Sequence, residues 1–301
     1  MRFVKIFSII VLLGFGVYFG CRYCEKRNDG FSIEKITTQF GNNPDWDVHA
    51  TSEEIAHANT ILNQPFHYLG HGFQCYAFVS NDGKYVLKFF RHQRLRPPVI
   101  YDWLPDCDYI RTLKKEKCAS RAKRAKCLFR SFAVAFQDVP EETGLIFVHL
   151  NKTKNLHPVV TVYDKCGQKY EISLDDREFL LQHKALHCKP EIAGLMKSGK
   201  LDDAKRRIDQ IFEMLVTCAR KGIMDTDKAL ITKNNLGYLA DSAIYIDSGR
   251  IIRKSSIKIQ ERFAEDLRRL RPLYKWLAKE YPQLAEYFVE AQKRAIESLQ
   301  A

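Results

Sequence analysis

Glycine and proline are sparse, 15 and 10 of 301 residues, which excludes a collagen-like chain and a Pro/Gly-rich disordered one. Paired cysteine spacing is also missing. The nine cysteines, at 21, 24, 75, 107, 118, 127, 166, 188 and 218, are odd in number and include one CxxC, Cys21 to Cys24, without a second half. Neither a disulfide framework nor a zinc site is legible, and the thiols read as reduced. Internal repeats and low-complexity tracts are absent. Acids are in deficit: Lys+Arg 48 against Asp+Glu 36 leaves a formal charge of +12, which points to a polyanionic partner, whether nucleotide phosphates, anionic lipid or nucleic acid. Hydrophobic residues make up 46% of the chain, enough for a core without covalent staples in one two-lobed domain or two ordinary ones.

Only one long uncharged run exists, Ile6 to Cys21 after Arg2 and Lys5. It reads as a transmembrane helix, with residues 1–28 as an N-terminal hydrophobic anchor. Signal cleavage is disfavoured, because Tyr18 and Phe19 stand where small residues are needed before Gly20. Arg22, Lys26 and Arg27 outnumber Arg2 and Lys5, so a single-pass membrane protein with a cytoplasmic body is expected. Residues 29–45 read as a polar linker.

Thr51-Ser52-Glu53-Glu54 is a capping-box start for a helix that Pro65 stops. Three strand-like runs follow, Phe66–Leu69, Phe73–Ser80 and Lys84–Phe90, with Asn81-Asp82-Gly83 as a turn. Arg111 to Arg130 holds nine Lys or Arg against the single acid Glu116, on a helix with a narrow apolar stripe. Ser131–Gln137 with Gly144–Leu150, and Val159–Asp164 with Lys169–Leu174, read as two further hairpins. From Asp175 the pattern turns helical: Glu178–Leu186, Glu191–Lys197, Leu201–Arg220, a helix ending at Pro272 and another opened by Pro282. Strands Leu236–Leu239 and Ala243–Ile246 interrupt. The result is an α+β, two-lobe layout, with a β-rich lobe over 46–150, a mainly helical lobe over 151–301, and a cleft between them for a ligand.

Two constellations carry chemistry. Gly70-His71-Gly72-Phe73-Gln74-Cys75 joins the first two strands, where Gly70 and Gly72 let backbone approach a polyphosphate. Alternation along the next strand puts Lys88, a phosphate-gripping cation, on the face of Val86, which with Ala77 can roof a base. The second constellation comprises Asp225 and Asp227, then Asn234-Asn235, then Asp247-Ser248-Gly249. Carboxylates and a carboxamide at the ends of a short hairpin are hard oxygen ligands for Mg²⁺, with one carboxylate left to orient or deprotonate a hydroxyl.

These motifs resemble the protein-kinase-like superfamily: Gly70 to Lys88 is similar to its glycine-rich loop and strand lysine, and Asp225 to Asp247 to its catalytic and metal-binding loops. Gly222-Ile223-Met224-Asp225 and Ile246-Asp247-Ser248-Gly249 look closer to its lipid-kinase and antibiotic-phosphotransferase branches. Tyr68-Leu69-Gly70, Tyr85-Val86-Leu87-Lys88-Phe89-Phe90 and Glu142-Thr143-Gly144-Leu145 also resemble uncharacterised kinase-like proteins of chlamydia-type bacteria. The resemblance implies a two-lobed protein-kinase-like fold that binds ATP and Mg and transfers a phosphoryl group to an unknown hydroxyl acceptor. By position it assigns Lys88 to the α and β phosphates, Glu116 as its partner, Asp225 or Asp227 to the acceptor hydroxyl, and Asn235 (rather than Asn234) with Asp247 to Mg. Asp225 and Asn235 are ten positions apart, about twice the family spacing, and Ser248 replaces the usual Phe. The alternative is therefore a catalytically inactive pseudokinase, a membrane-associated adaptor. Anionic lipid is a further expected partner of the basic helix. Nucleic acid is not expected, since aromatic residues do not interleave the basic run.

Overall fold

A computed structural model describes residues 2–38, 40–95, 103–104, 107–227, 230–232, 234–254 and 258–300, without the side chains of residues 2–12, Cys21 and Cys24. Part of the Pro-containing segment between Arg94 and Asp108 lies outside the described residues. The chain starts with helix α1 (Arg2–Arg27). Among the described residues no helix is long and apolar enough to cross a membrane, which overturns the transmembrane helix, the membrane partner and the single-pass localisation. The physical reason is length. The sixteen uncharged residues from Ile6 to Cys21 rise to about 24 Å, against about 30 Å of hydrocarbon. The anionic-lipid expectation, argued from a neighbouring anchor, loses that footing.

Within residues 29–45, expected as a linker, the described residues include several that pack on the sheet. Phe31 and Ile36 are buried, and the Phe31 ring stands edge-on to Tyr76, Phe78 and Tyr170 at 5.1–5.6 Å. Helix α2 (Ser52–Leu62) starts at the expected capping box: Thr51 Oγ1 accepts from the Glu54 amide and Glu54 Oε2 from the Thr51 amide. Its Ala58, Ile61 and Leu62 are buried in the same cluster as the sheet's Phe66, Phe78 and Phe89.

Among the described residues seven strands form one curled sheet in the order β4-β7-β3-β2-β1-β5-β6. They are β1 (Phe66–His71), β2 (Cys75–Ser80), β3 (Tyr85–Phe90), β4 (Leu145–His149), β5 (Val159–Tyr163), β6 (Lys169–Ser173) and β7 (Phe179–His183). The sheet thus takes in strands on both sides of residue 150. Gly83, at φ +73°, makes the β2–β3 turn that a side chain would strain. Among the described residues only the β1–β5 pair is parallel.

Helix α3 (Asp108–Asp138) lies between β3 and β4 in sequence and is longer than expected. Ser131–Gln137, expected as a strand, belongs to its last two turns: Phe129, Phe132 and Phe136 recur at helical spacing and are buried. The alternation of Phe132, Val134 and Phe136 imitated a strand. A single helical turn, α4 (Pro140–Thr143), leads into β4. The opposite error befell Glu178–Leu186, expected as helix. Phe179, Leu180 and Leu181 are all fully buried in β7, because an interior strand covered on both faces shows a continuous apolar run rather than alternation.

On the far side of the cleft, β8 (Leu186–His187), α5 (Cys188–Lys197) and α6 (Leu201–Arg220) precede four short strands: β9 (Ile223–Asp225), β10 (Leu236–Tyr238), β11 (Ala243–Tyr245) and β12 (Ile251–Arg253). β11-β10-β8 form one small sheet and β12-β9 another. Helices α7 (Ile259–Glu280) and α8 (Pro282–Ser298) close the chain. Contrary to expectation α7 runs through Pro272. Leu270, Leu273 and Leu277 around it are buried in the core shared with α6 and α8, and that burial outweighs the ~3 kcal/mol of an interior proline. With α2 and α3 packed beside the large sheet and short strands lodged among the later helices, the structure is a mixed α/β fold with a curled sheet, which corrects the expected α+β, two-lobe layout behind a transmembrane helix.

Candidate active site

Between the β1–β2 turn and the β10–β11 hairpin lies a cavity of about 670 Å³. Gly70, Gly72, Ala77, Val86, Lys88, Asn235 and Asp247 all line it. Ala77 stands opposite Lys88 across the β2–β3 ladder, and Val86 is two residues away on the same face, as the two-residue period requires. A methyl group added at Gly70 or Gly72 would meet no protein atom within 4 Å, so these glycines leave room towards the cavity rather than avoiding a clash.

Lys88 reaches across the cleft: its Nζ donates to the carbonyl of Ile246 at 2.7 Å. Burial lowers the Lys88 ammonium from its ordinary value, and the neighbouring Asp247 carboxylate opposes that shift. The hairpin brings the segments of Asn235 and Asp247 side by side. The Ile246 amide donates to the Asn235 carbonyl at 2.8 Å, which sets Asn235 beside the residue preceding Asp247. Asp247 Oδ1 accepts from the Gly249 amide at 3.1 Å.

The two aspartates separate. Asn235 Nδ2 donates to Asp227 Oδ2 at 2.7 Å, and the Arg250 guanidinium lies 3.6 Å from Asp227 Oδ1. Asp225 lies beneath, 1% exposed; its Oδ1 accepts from the Asp227 amide and its Oδ2 pairs with Arg269 at 3.0 Å. Burial pushes Asp225 up to about 6, with Arg269 opposing. Arg269 also pairs with Asp266, so Asp225 belongs to a buried network under the site. Of the two, Asp227 is the one joined to the cavity wall.

Glu116 is not brought in. It is exposed on α3, ahead of the buried stretch that begins at Ala125, and Lys88 bonds to a main-chain carbonyl instead. The α3 residue that does line the cavity is Phe132. The sequence pattern did not find this, because the basic run ends at Arg130 and Phe132 falls in the stretch Ser131–Gln137 that reads as a strand.

Other contacts went unread in the sequence. Arg91 Nη1 donates to the Gly72 carbonyl at 2.8 Å, and the Arg94 guanidinium lies 4.5 Å from the Phe73 ring centre, so two cations hold the β1–β2 turn. Gln74, in that turn, occupies the space a side chain at Gly249 would need. Gly249 therefore leaves room for the Gln74 carboxamide beside the Asp247 segment, and a methyl group there would displace that side chain.

Among the described residues, no group of three or more His, Cys, Asp or Glu could hold a metal ion. Magnesium does not require one: it is commonly held by one or two carboxylates with substrate phosphates and water. The oxygen donors of Asp247 and Asn235 fit that chemistry.

No family description matches the chain, nor does any curated protein. Two solved structures of the bifunctional kinase-methyltransferase WbdD, one at medium resolution and one at 2.2 Å, are similar to it at 15% identity and a TM-score of 0.34. They cover 73% of this chain, which spans only 43% and 44% of theirs. The resemblance to kinase-like proteins of chlamydia-type bacteria gains no support from these comparisons.

Proposed function

We propose that this chain is a kinase-like phosphotransferase that binds ATP with Mg in the 670 Å³ cavity and transfers the terminal phosphoryl group to a hydroxyl acceptor. The observation that carries the reading is the bond from Lys88 to Ile246, 158 residues apart in sequence, which sets a strand cation beside Asp247 at the glycine-bearing turn. A polyphosphate needs that combination: a cation, approachable backbone and hard oxygen donors converging on one point.

In this reading Lys88 exchanges the Ile246 carbonyl for phosphate oxygens. Gly70 and Gly72 let the turn lie against the phosphates, and Ala77 and Val86 cover the base. Asp247 and Asn235 hold Mg, which neutralises phosphate charge when bound. Asp227, oriented by the Asn235 amide, accepts or directs the proton of the acceptor hydroxyl. The non-catalytic alternative draws on one observation, the absence of Glu116 from Lys88: a nucleotide-binding adaptor needs the cavity but not an aligned phosphate.

Titration of the full chain with ATP, with and without Mg, followed by a γ-phosphate transfer assay, tests the reading. Lys88→Ala and Asp247→Ala are each expected to abolish Mg-dependent binding while leaving the unliganded melting temperature nearly unchanged. Undiminished binding in both variants, or equal loss of folding, would sink it. Binding without transfer under any condition would favour the adaptor.

A further inference from the structure

Asp227, which takes the acceptor proton in the preceding reading, stands between two neighbours of different kind. On one side Asn235, a residue of the cavity wall, donates to its Oδ2 at 2.7 Å. On the other the Arg250 guanidinium lies 3.6 Å from its Oδ1. Asp227 is buried, 6% exposed, whereas 52% of the Arg250 side chain is open to solvent. The nucleotide cavity thus borders Asp227 through Asn235, and an acceptor that reaches the same carboxylate from outside meets Arg250.

The fold fixes where Arg250 stands. Strand β12 pairs antiparallel with β9, with Ile251 opposite Asp225. The Arg250 carbonyl accepts from both the amide and the hydroxyl of Thr226, at 3.0 and 2.9 Å. The residue between the two aspartates therefore pins the main chain of Arg250 beside Asp227. The guanidinium, by contrast, is loosely engaged. At 3.6 Å it is an ion pair without a hydrogen bond, and a half-exposed pair of that length is weak. Arg253, on the same strand, is differently placed: its Nε and Nη2 grip Asp138 at 2.6–3.0 Å. Arg250 is left with its fork of donors turned towards the approach to Asp227.

We infer that Arg250 binds the phosphoryl acceptor by an anionic group, so that the substrate is a small hydroxyl compound bearing a phosphate or carboxylate within a few bonds of the reacting hydroxyl. The guanidinium fork matches either oxyanion bidentately. One loosely held cation beside the reacting position suits a single anionic group near the hydroxyl better than an extended acidic chain. The incoming anion replaces Asp227 as counter-ion of Arg250, and Asp227 turns to the hydroxyl. In the transfer itself the hydroxyl oxygen bonds to the γ-phosphorus while the bond to the β–γ bridging oxygen breaks. ADP departs with that electron pair, and the hydroxyl proton passes to Asp227 and then to solvent. The inference rests on the phosphotransfer reading and adds the class of acceptor.

The test is a panel of matched acceptors on the full chain with Mg and γ-labelled ATP: glycerol, glycerol 3-phosphate and glycerate, then glucose, glucose 6-phosphate and gluconate. Within at least one set, an anionic member is expected to show a kcat/KM at least about tenfold above the neutral one, and the better of the two identifies the anion. Arg250→Gln should raise KM for that member about tenfold or more with kcat changed less than about threefold. Arg250→Lys, which keeps the charge but not the fork, should recover part of the loss. Titration with ATP and Mg keeps a folding defect apart from a defect in acceptor binding. Equal use of neutral and anionic members would overturn the inference, as would use of none of them by a chain that binds ATP, or a preference for a serine peptide flanked by acids over every small member. Each of these leaves nucleotide binding standing. A fall in kcat for every acceptor with KM unmoved would also overturn it, and would put the guanidinium on the transferring phosphoryl group. Failure of wild type to bind ATP would overturn both readings.

Discussion

Asp225 and Asp227 are two residues apart and lie in different environments, and the difference decides what each substitution does. Asp227 is held by the Asn235 amide at the cavity wall, so Asp227→Asn should lower phosphoryl transfer by about 10²–10⁴ with ATP affinity changed less than about threefold. Asp225 pairs with Arg269 in the interior. Asp225→Ala leaves that cation partly uncompensated, and it should lower the melting temperature first, by the equivalent of about 1–3 kcal/mol. Thermal unfolding beside single-turnover transfer separates the two, and interchanged effects would mean that the proton-handling role belongs to Asp225. His157 gives a second expectation at this scale. Its Nδ1 bonds to Asn59 Oδ1 at 2.9 Å, its Nε2 is buried without a partner, and burial, with His149 adding to it, depresses its pKa to about 4. The folded value lies below the unfolded one near 6.5, so the stability it contributes is present above pH 6.5 and is lost as pH falls towards 4. Denaturant titrations between pH 7 and pH 4 should show a steeper acid loss in wild type than in His157→Leu, by up to about 3 kcal/mol.

Helix α3 is two elements in one. From Asp108 to Arg124 no described side chain is buried, whereas Ala125, Leu128, Phe129, Phe132 and Phe136 join the core. Reversing the charge of Lys115, Lys117 and Lys123 together should change stability by no more than about 1 kcal/mol, while Phe129→Ala should cost about 3–5 kcal/mol. Hydrogen exchange should find fast amides before residue 125 and protected ones after it; uniform protection would show that the basic part is covered in solution. The same helix shows how far the sequence could be read. Caps, turns and alternating strands were legible because each is set by neighbours in the chain: the Thr51 box, the Asn81-Asp82-Gly83 turn, the shared face of Val86 and Lys88. Glu116 was misplaced because the position at which a helix docks depends on the partner surface. Strand β7 was missed for a related reason: it is covered on both faces, so the run Phe179-Leu180-Leu181 carries no period that separates strand from helix.

At the scale of the whole molecule, the segment before Thr51 ties the start of the chain to the cavity. Phe31 and Ile36 belong to the apolar cluster of the seven-stranded sheet. Tyr76, next to Cys75 of the cavity wall, packs its ring on Phe31 and donates its hydroxyl to the Gly30 carbonyl at 2.7 Å. Asn28 reaches Asp164 at 2.9 Å, beyond the end of β5. Removing a buried Phe and a buried Ile costs about 3–5 and 2–5 kcal/mol, a sum comparable with the 5–15 kcal/mol stability of an ordinary domain. Deletion of residues 1–24, which spares these contacts, should leave the melting temperature within a few degrees of the full chain. Deletion of residues 1–44 should lower it by more than about 10 °C or prevent folding. The link to function is separable by a milder change. In Phe31→Leu the sheet keeps most of its burial but loses the edge-on contacts to Tyr76, so ATP affinity should fall several-fold at a temperature where the variant remains folded. An unchanged melting temperature on deleting residues 1–44 would mean that the segment merely lies on the sheet. Unchanged affinity in Phe31→Leu would confine its role to stability and free the β1–β2 turn from any dependence on the start of the chain.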